Sequence, residues 1–163
     1  MIKKILIAGL SITTSFIIAI AFFVLGLKVA NNYLETPNTN PDKLFAMVQE
    51  WREDQNLPPL KENEMFCKFA AYRAGMMRTD FSHTGFTEDS PQKQELFNAG
   101  FHYLGENLAM LNNISFDPEN QILTGWLNSP KHKEAIEANY TDSCIRCEGR
   151  FCVQIFGSSK DPQ

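Results

Sequence analysis

The chain has 163 residues, 44% of them hydrophobic, and a formal net charge of −4, with 13 Phe against 9 Gly and 8 Pro. That composition excludes a disordered or collagen-like chain. Three of the 15 basic residues and none of the 19 acids lie in residues 1–30, so the remainder is acidic, which argues against a nucleic-acid binder and against docking on anionic lipid.

In chain order, an uncharged run from Ile5 to Leu27 comes first, preceded by Lys3 and Lys4. As a helix it would extend about 34 Å, enough for a bilayer core of about 30 Å. The lysines favour a cytoplasmic N-terminus and an exported remainder. Lys28 interrupts Leu27-Lys28-Val29-Ala30, so no A-x-A cleavage site is evident. Residues 1–30 read as an uncleaved signal anchor in preference to a cleaved signal peptide. Residues 31–41, rich in Asn, Pro and Thr, form a linker.

A first helix is predicted from Pro41, capped by Asn40, with Leu44, Met47, Val48 and Trp51 at helical spacing. Pro58-Pro59 end it. A second runs from about Glu62 to Met77, striped by Met65-Phe66, Phe69-Ala70, Ala74 and Met77. Residues 78–88 are polar loop. Ser90-Pro91 opens a third helix, closed by Gly100. Phe101-His102-Tyr103-Leu104 is a candidate strand, and Gly105–Met110 carries no assignable pattern. Asp117-Pro118 begins a fourth helix and Ser129-Pro130 a short fifth, to about Ala138. Residues 143–147 and 151–156 read as a hairpin around Glu148-Gly149-Arg150. Helices followed by a hairpin indicate an α+β domain, helices packed on an antiparallel sheet.

Cys67, Cys144, Cys147 and Cys152 all follow the apolar run, in a compartment that permits oxidation. A two-residue turn at Gly149-Arg150 sets Cys147 opposite Cys152, close enough for a bridge. Cys67 and Cys144 are then left to pair across a long loop, which in the chain-entropy model stabilises by roughly 4–5 kcal/mol. This is one of three connectivities, and a four-cysteine zinc site with Cys144-x-x-Cys147 is the rival.

Three histidines and one carboxylate stand out. His83 follows Asp80-Phe81-Ser82 in a loop. His132 falls at the third position of the fifth helix, where the dipole disfavours imidazolium. His102 sits among aromatics. Glu106 is an isolated acid between Gly105 and Asn107.

Five segments in order carry a resemblance. They are Leu57-Pro58-Pro59-Leu60 with Asn63; Ala70-Ala71 and Arg73-Ala74; Phe81-Ser82-His83; Gly100-Phe101 with Gly105-Glu106-Asn107-Leu108-Ala109; and Trp126-Leu127-Asn128-Ser129-Pro130-Lys131-His132-Lys133. Asn139-Tyr140-Thr141 and Val153-Gln154-Ile155-Phe156-Gly157 fit the closing strands. Together they resemble the CAP (SCP-like) superfamily of cysteine-rich secretory proteins, antigen 5 and plant pathogenesis-related proteins, in its extracellular bacterial branch. The resemblance covers residues 42–158, leaving 159–163 as a tail.

It implies a three-layer α-β-α sandwich with a small antiparallel sheet, here preceded by a transmembrane helix. It also implies a cleft lined by His83 and Glu106. The animal and plant branches complete a cation-binding tetrad, but Asn139 and Ser129 stand where those branches have His and Glu. The site is therefore read as His83, Glu106 and His132, with Asn107 and Ser129 beside them. His83, His132 and Glu106 are the candidate ligands for a divalent cation such as zinc.

The expected function is binding of a small ligand, lipid or cell-wall component by an extracellular domain, membrane-anchored through residues 5–27 or secreted. The alternative is a metal-dependent hydrolase using His83, Glu106 and His132. The chain has no H-E-x-x-H helix, no G-x-S-x-G elbow and no catalytic-cysteine signature, so no catalytic residue is assigned.

Overall fold

A computed structural model describes residues 39–87, 89–111 and 116–162. The expected transmembrane helix lies outside these residues. The elements run α1 (Pro41–Asp54), β1 (Lys61–Glu62), α2 (Glu64–Met76), α3 (Pro91–Asn98), β2 (Tyr103–Met110), α4 (Pro118–Asn128), α5 (Pro130–Glu137), β3 (Asp142–Glu148) and β4 (Phe151–Ser158).

Local chemistry fixes the helix starts. The Asn40 side chain accepts hydrogen bonds from the Asp42 and Lys43 amides, and Pro41 fills the first turn. Asn63 caps α2 and Ser90 caps α3, as short oxygen-bearing side chains do for orphan amides.

The four strands form one sheet in the order β1-β3-β4-β2. β3–β4 and β4–β2 are antiparallel, but β1 pairs parallel to β3 through Lys61 and Glu62. The sheet is therefore mixed, not purely antiparallel. Glu62, expected at the start of the second helix, belongs instead to this short edge strand. The third strand also differs from expectation: β2 begins at Tyr103 and runs through Gly105–Met110, leaving Phe101 and His102 outside it.

Successive residues of each strand face opposite ways, and helices cover both faces. On one face α1, α4 and α5 bury Leu44, Val48, Ile122, Trp126 and Ile136 against Ile145, Cys152 and Phe156. On the other, α2 and α3 bury Phe66, Phe69, Ala70, Ala74 and Leu96 against Leu108, Cys144, Val153 and Ile155. This is the expected three-layer α+β sandwich. The Trp126 indole donates to the Leu108 carbonyl at 2.9 Å, which ties α4 to the sheet edge.

The hairpin turns at Gly149-Arg150, and Gly149 has φ +59°, a conformation that glycine adopts without steric cost. Cys147 and Cys152 are register partners and form a disulfide, with Cα atoms 4.1 Å apart. Cys67 bridges Cys144, joining α2 to β3. All four cysteines are thereby consumed, which removes the four-cysteine zinc site from the oxidised protein.

Candidate functional site

The site is built around the middle of β2. Glu106 and Asn107 are adjacent in sequence, so their side chains leave opposite faces of the sheet. Glu106 points to the α2 side, where Arg73 waits. Arg73 lies on the buried stripe of α2, seven residues after Phe66 and three after Ala70, and is fully buried. Its Nε donates to Glu106 Oε1 at 2.7 Å, and its Nη2 to Oε2 at 3.2 Å. Both side chains are 1% exposed. A forked guanidinium matches a carboxylate in this two-bond geometry, which strengthens the pair and orients it.

The loop after α2 closes over the pair. Arg73 Nη2 donates to the Ser82 carbonyl at 2.7 Å, and His83 Nδ1 lies 2.8 Å from Glu106 Oε2. Gly85 lies so close to Arg73 that a Cβ there would collide with the guanidinium. The carboxylate therefore selects the tautomer with a proton on Nδ1 and turns Nε2 outward. The His83 side chain is 59% exposed, so Nε2 faces solvent on a ring held from behind.

His132 arrives from α5 on the other side of the edge strand. Burial lowers its pKa first, and the charge of His83 lowers it further. Both effects favour the neutral form of the His132 ring.

Asn107 is not a cleft residue. It is 1% exposed and faces away from Glu106, because the period of a strand is two. Its Nδ2 donates to the His132 backbone carbonyl at 3.1 Å, so it anchors the turn that carries the histidine. Ser129 forms the corner between α4 and α5. Its hydroxyl makes no capping bond, but its extended backbone breaks the helix and redirects the chain three residues before His132. His102 is remote in role: it stacks on Phe97, ring centroids 6.4 Å apart, beside a depression of about 360 Å3 that Lys93, Tyr103 and Tyr140 also line.

As a cation site, the set His83, Glu106 and His132 does not fit. Both Glu106 oxygens already accept hydrogen bonds, the carboxylate is sealed from solvent, and a guanidinium stands 2.7 Å away. A divalent ion would have to displace or sit beside that charge. What the arrangement offers outward is the His83 imidazole, braced by an ion-paired carboxylate, with His132 partly buried on α5.

Arg73 was named within a motif, but its pairing was missed. The available signal was a charged residue on an otherwise apolar helical stripe, which demands a buried partner.

Residues 45–149 match the family model described as "Cysteine-rich secretory protein family". Among solved structures, an extracellular protein containing an SCP domain from Bacillus anthracis is 25% identical with a TM-score of 0.59, over 74% of this chain and 41% of that one. An outer surface protein from Borrelia burgdorferi is 26% identical with a TM-score of 0.58, over 73% of this chain and 92% of that one. A cysteine-rich secretory protein from Staphylococcus aureus, 19% identical with a TM-score of 0.57 over 74% of this chain and 40% of that one, shares the fold. The chain thus spans about two fifths of the Bacillus and Staphylococcus proteins. No curated protein matches it.

Proposed function

Because the chain belongs to the cysteine-rich secretory protein (CAP) family, we propose that it is a binding module displayed outside the cytoplasm, anchored through residues 5–27, that captures a ligand or partner at the His83–His132 edge. The observation that carries this reading is the Arg73–Glu106 pair. It removes Glu106 from acid–base and metal chemistry and uses it to brace His83. A general base must reach its proton, and a metal ligand must reach its ion. A sealed carboxylate does neither, whereas an exposed, pre-oriented imidazole is a ready hydrogen-bonding group.

Two disulfides support an oxidising compartment. Relatives described as extracellular and as an outer surface protein support the same placement. The ligand expected is a small molecule, lipid or cell-wall component.

The test compares the full chain in mild detergent with its His83→Ala/His132→Ala variant. Each is offered to purified cell-wall fragments and to phospholipid vesicles. The wild type should be retained by one of them and the variant released at least tenfold more readily, with unchanged circular dichroism; equal behaviour of the two proteins would sink the proposal. Calorimetry with zinc should show no stoichiometric binding to the oxidised protein. Stoichiometric binding lost in the double variant would favour a metal-dependent hydrolase instead.

A further inference from the structure

A second cluster of donor atoms lies on the far side of the domain, at the sheet edge formed by β1. Glu62 Oε1 sits 3.5 Å from Cys67 Sγ and 3.5 Å from Cys144 Sγ. The sulfurs of a disulfide carry no proton, so the carboxylate gains no hydrogen bond from either. In the oxidised state Glu62 is held by Arg146, at 3.2 Å, and not by the sulfurs it lies against.

Three elements bring these atoms together. β1 pairs in register with β3, which sets Glu62 opposite Ser143 and next to Cys144. Cys67 lies at the end of the first turn of α2, its amide bonded to the Asn63 carbonyl. Both cysteines are buried and Glu62 is not, and the three ligand atoms all lie within 4.8 Å of one another.

We propose that reduction of the Cys67–Cys144 disulfide converts this cluster into a binding site for a thiophilic divalent cation such as zinc, with Cys67, Cys144 and Glu62 as ligands. The reductant is a low-molecular-weight thiol. Two thiols give up two electrons and two protons and leave as their own disulfide, and the protein gains two thiols. Binding of the ion then releases those two protons.

The geometry suits the ion. In a tetrahedral site with metal–sulfur bonds of about 2.3 Å and metal–oxygen bonds of about 2.1 Å, donors stand roughly 3.5–3.8 Å apart. Both sulfur–oxygen edges already have that length. The sulfur–sulfur edge reaches it on reduction, because two unbonded sulfurs part to van der Waals contact. Two thiolates and one carboxylate, with water from the open Glu62 side as fourth ligand, select a borderline-soft ion over magnesium or calcium.

Arg146 now holds Glu62 Oε1 at 3.2 Å, and Asp42 lies 3.9 Å from the same Nη1. Arg146 can therefore release Glu62 to the ion without losing a carboxylate partner. The Cys147–Cys152 pair has no comparable third ligand among the described residues. This site is independent of His83 and His132, and it exists only in the reduced protein.

The experiment uses the full chain in detergent carrying Cys147→Ser/Cys152→Ser, so that one dithiol remains. The protein is reduced with a phosphine under argon, freed of reductant and titrated with cobalt(II). Folding is followed by circular dichroism. The expected result is one cobalt per chain, with the near-ultraviolet charge-transfer intensity of two thiolates, displaced by zinc and absent before reduction. Glu62→Gln should weaken cobalt at least tenfold, whereas His83→Ala/His132→Ala should leave it unchanged.

Failure of the reduced protein to bind, or equal binding by Glu62→Gln, would overturn the proposal. If reduction unfolds the chain, the ion must restore the fold, because binding at a native-geometry site is coupled to folding; an ion that does not restore it also overturns the proposal.

Discussion

Arg52 and Arg73 are both fully buried, and both lie on the apolar stripe of a helix. Among the described residues Arg52 has only backbone carbonyls for partners: Pro58 at 3.0 and 2.7 Å, Ala138 at 2.8 Å and Ile136 at 2.5 Å. It satisfies the end of α5, where the carbonyls carry the negative end of the helix dipole. Burial lowers its pKa, and no carboxylate offsets that. Arg73 meets a carboxylate instead, and that carboxylate holds a histidine at the surface. The same side chain thus closes the fold in one place and braces the candidate site in the other. A cation that meets only carbonyls reports what the backbone needs. One that meets a sealed acid reports what the acid must be prevented from doing.

The largest effect expected from breaking this contrast is at Arg73. Arg73→Met leaves the Glu106 carboxylate buried with only His83 beside it, and removal of one partner from a buried pair costs about 3–5 kcal/mol. Denaturant melts should show that loss. Adding Glu106→Leu should recover most of it, since an apolar pair of similar volume replaces a buried ion pair at little cost. Without recovery in the double variant, Glu106 would not be the reason Arg73 is there.

Arg52→Met should cost less, about 2–3 kcal/mol, because it strands carbonyls and no charge. No single apolar substitution elsewhere should rescue it, since its partners are backbone atoms. A loss at Arg52 greater than at Arg73 would reverse the comparison. In both cases the melts must keep the same denaturant slope, so that the costs refer to one cooperative transition.

The parts of the molecule legible in the sequence were those fixed by neighbours along the chain. Asn40-Pro41, Ser90-Pro91 and the Gly149-Arg150 turn act within a few residues, so two helix starts and the hairpin followed from them. The turn then set Cys147 opposite Cys152, and both disulfides followed the expected pairing. β2 was illegible for the opposite reason. A strand covered on both faces loses its alternation, and Glu106, Leu108, Asn107 and Ala109 are all at least half-buried between two helical layers. β1 is two residues long and exists only through its register with β3. In the candidate site, His83 and Glu106, both quoted in the motifs, are in direct contact at 2.8 Å, while His132 is linked to them only through the charge of His83. The sequence could not place Asn107 on the opposite face, because the β2 assignment was missing. Nor could it pair Arg73 with Glu106, a contact that depends on how α2 crosses the sheet.

The smallest effect distinguishes the two histidines. Burial, and then repulsion from His83, hold the His132 imidazole below its ordinary value of 6.5. In the unfolded chain the ring titrates at that ordinary value. Between the two values the unfolded state binds more protons, so stability rises with pH there. The contribution of His132 is therefore complete above pH 6.5 and is lost as pH falls below it, until the folded-state ring is itself protonated. Melts of the wild type and His132→Gln from about pH 7.5 to about pH 5 should show a shallower decline in the variant. His83→Ala should flatten this pH dependence less, because burial is the first cause of the shift and His83 the second. If His83→Ala removed it entirely, repulsion between the rings would dominate, and the two imidazoles would have to be closer and drier than an edge half open to water allows.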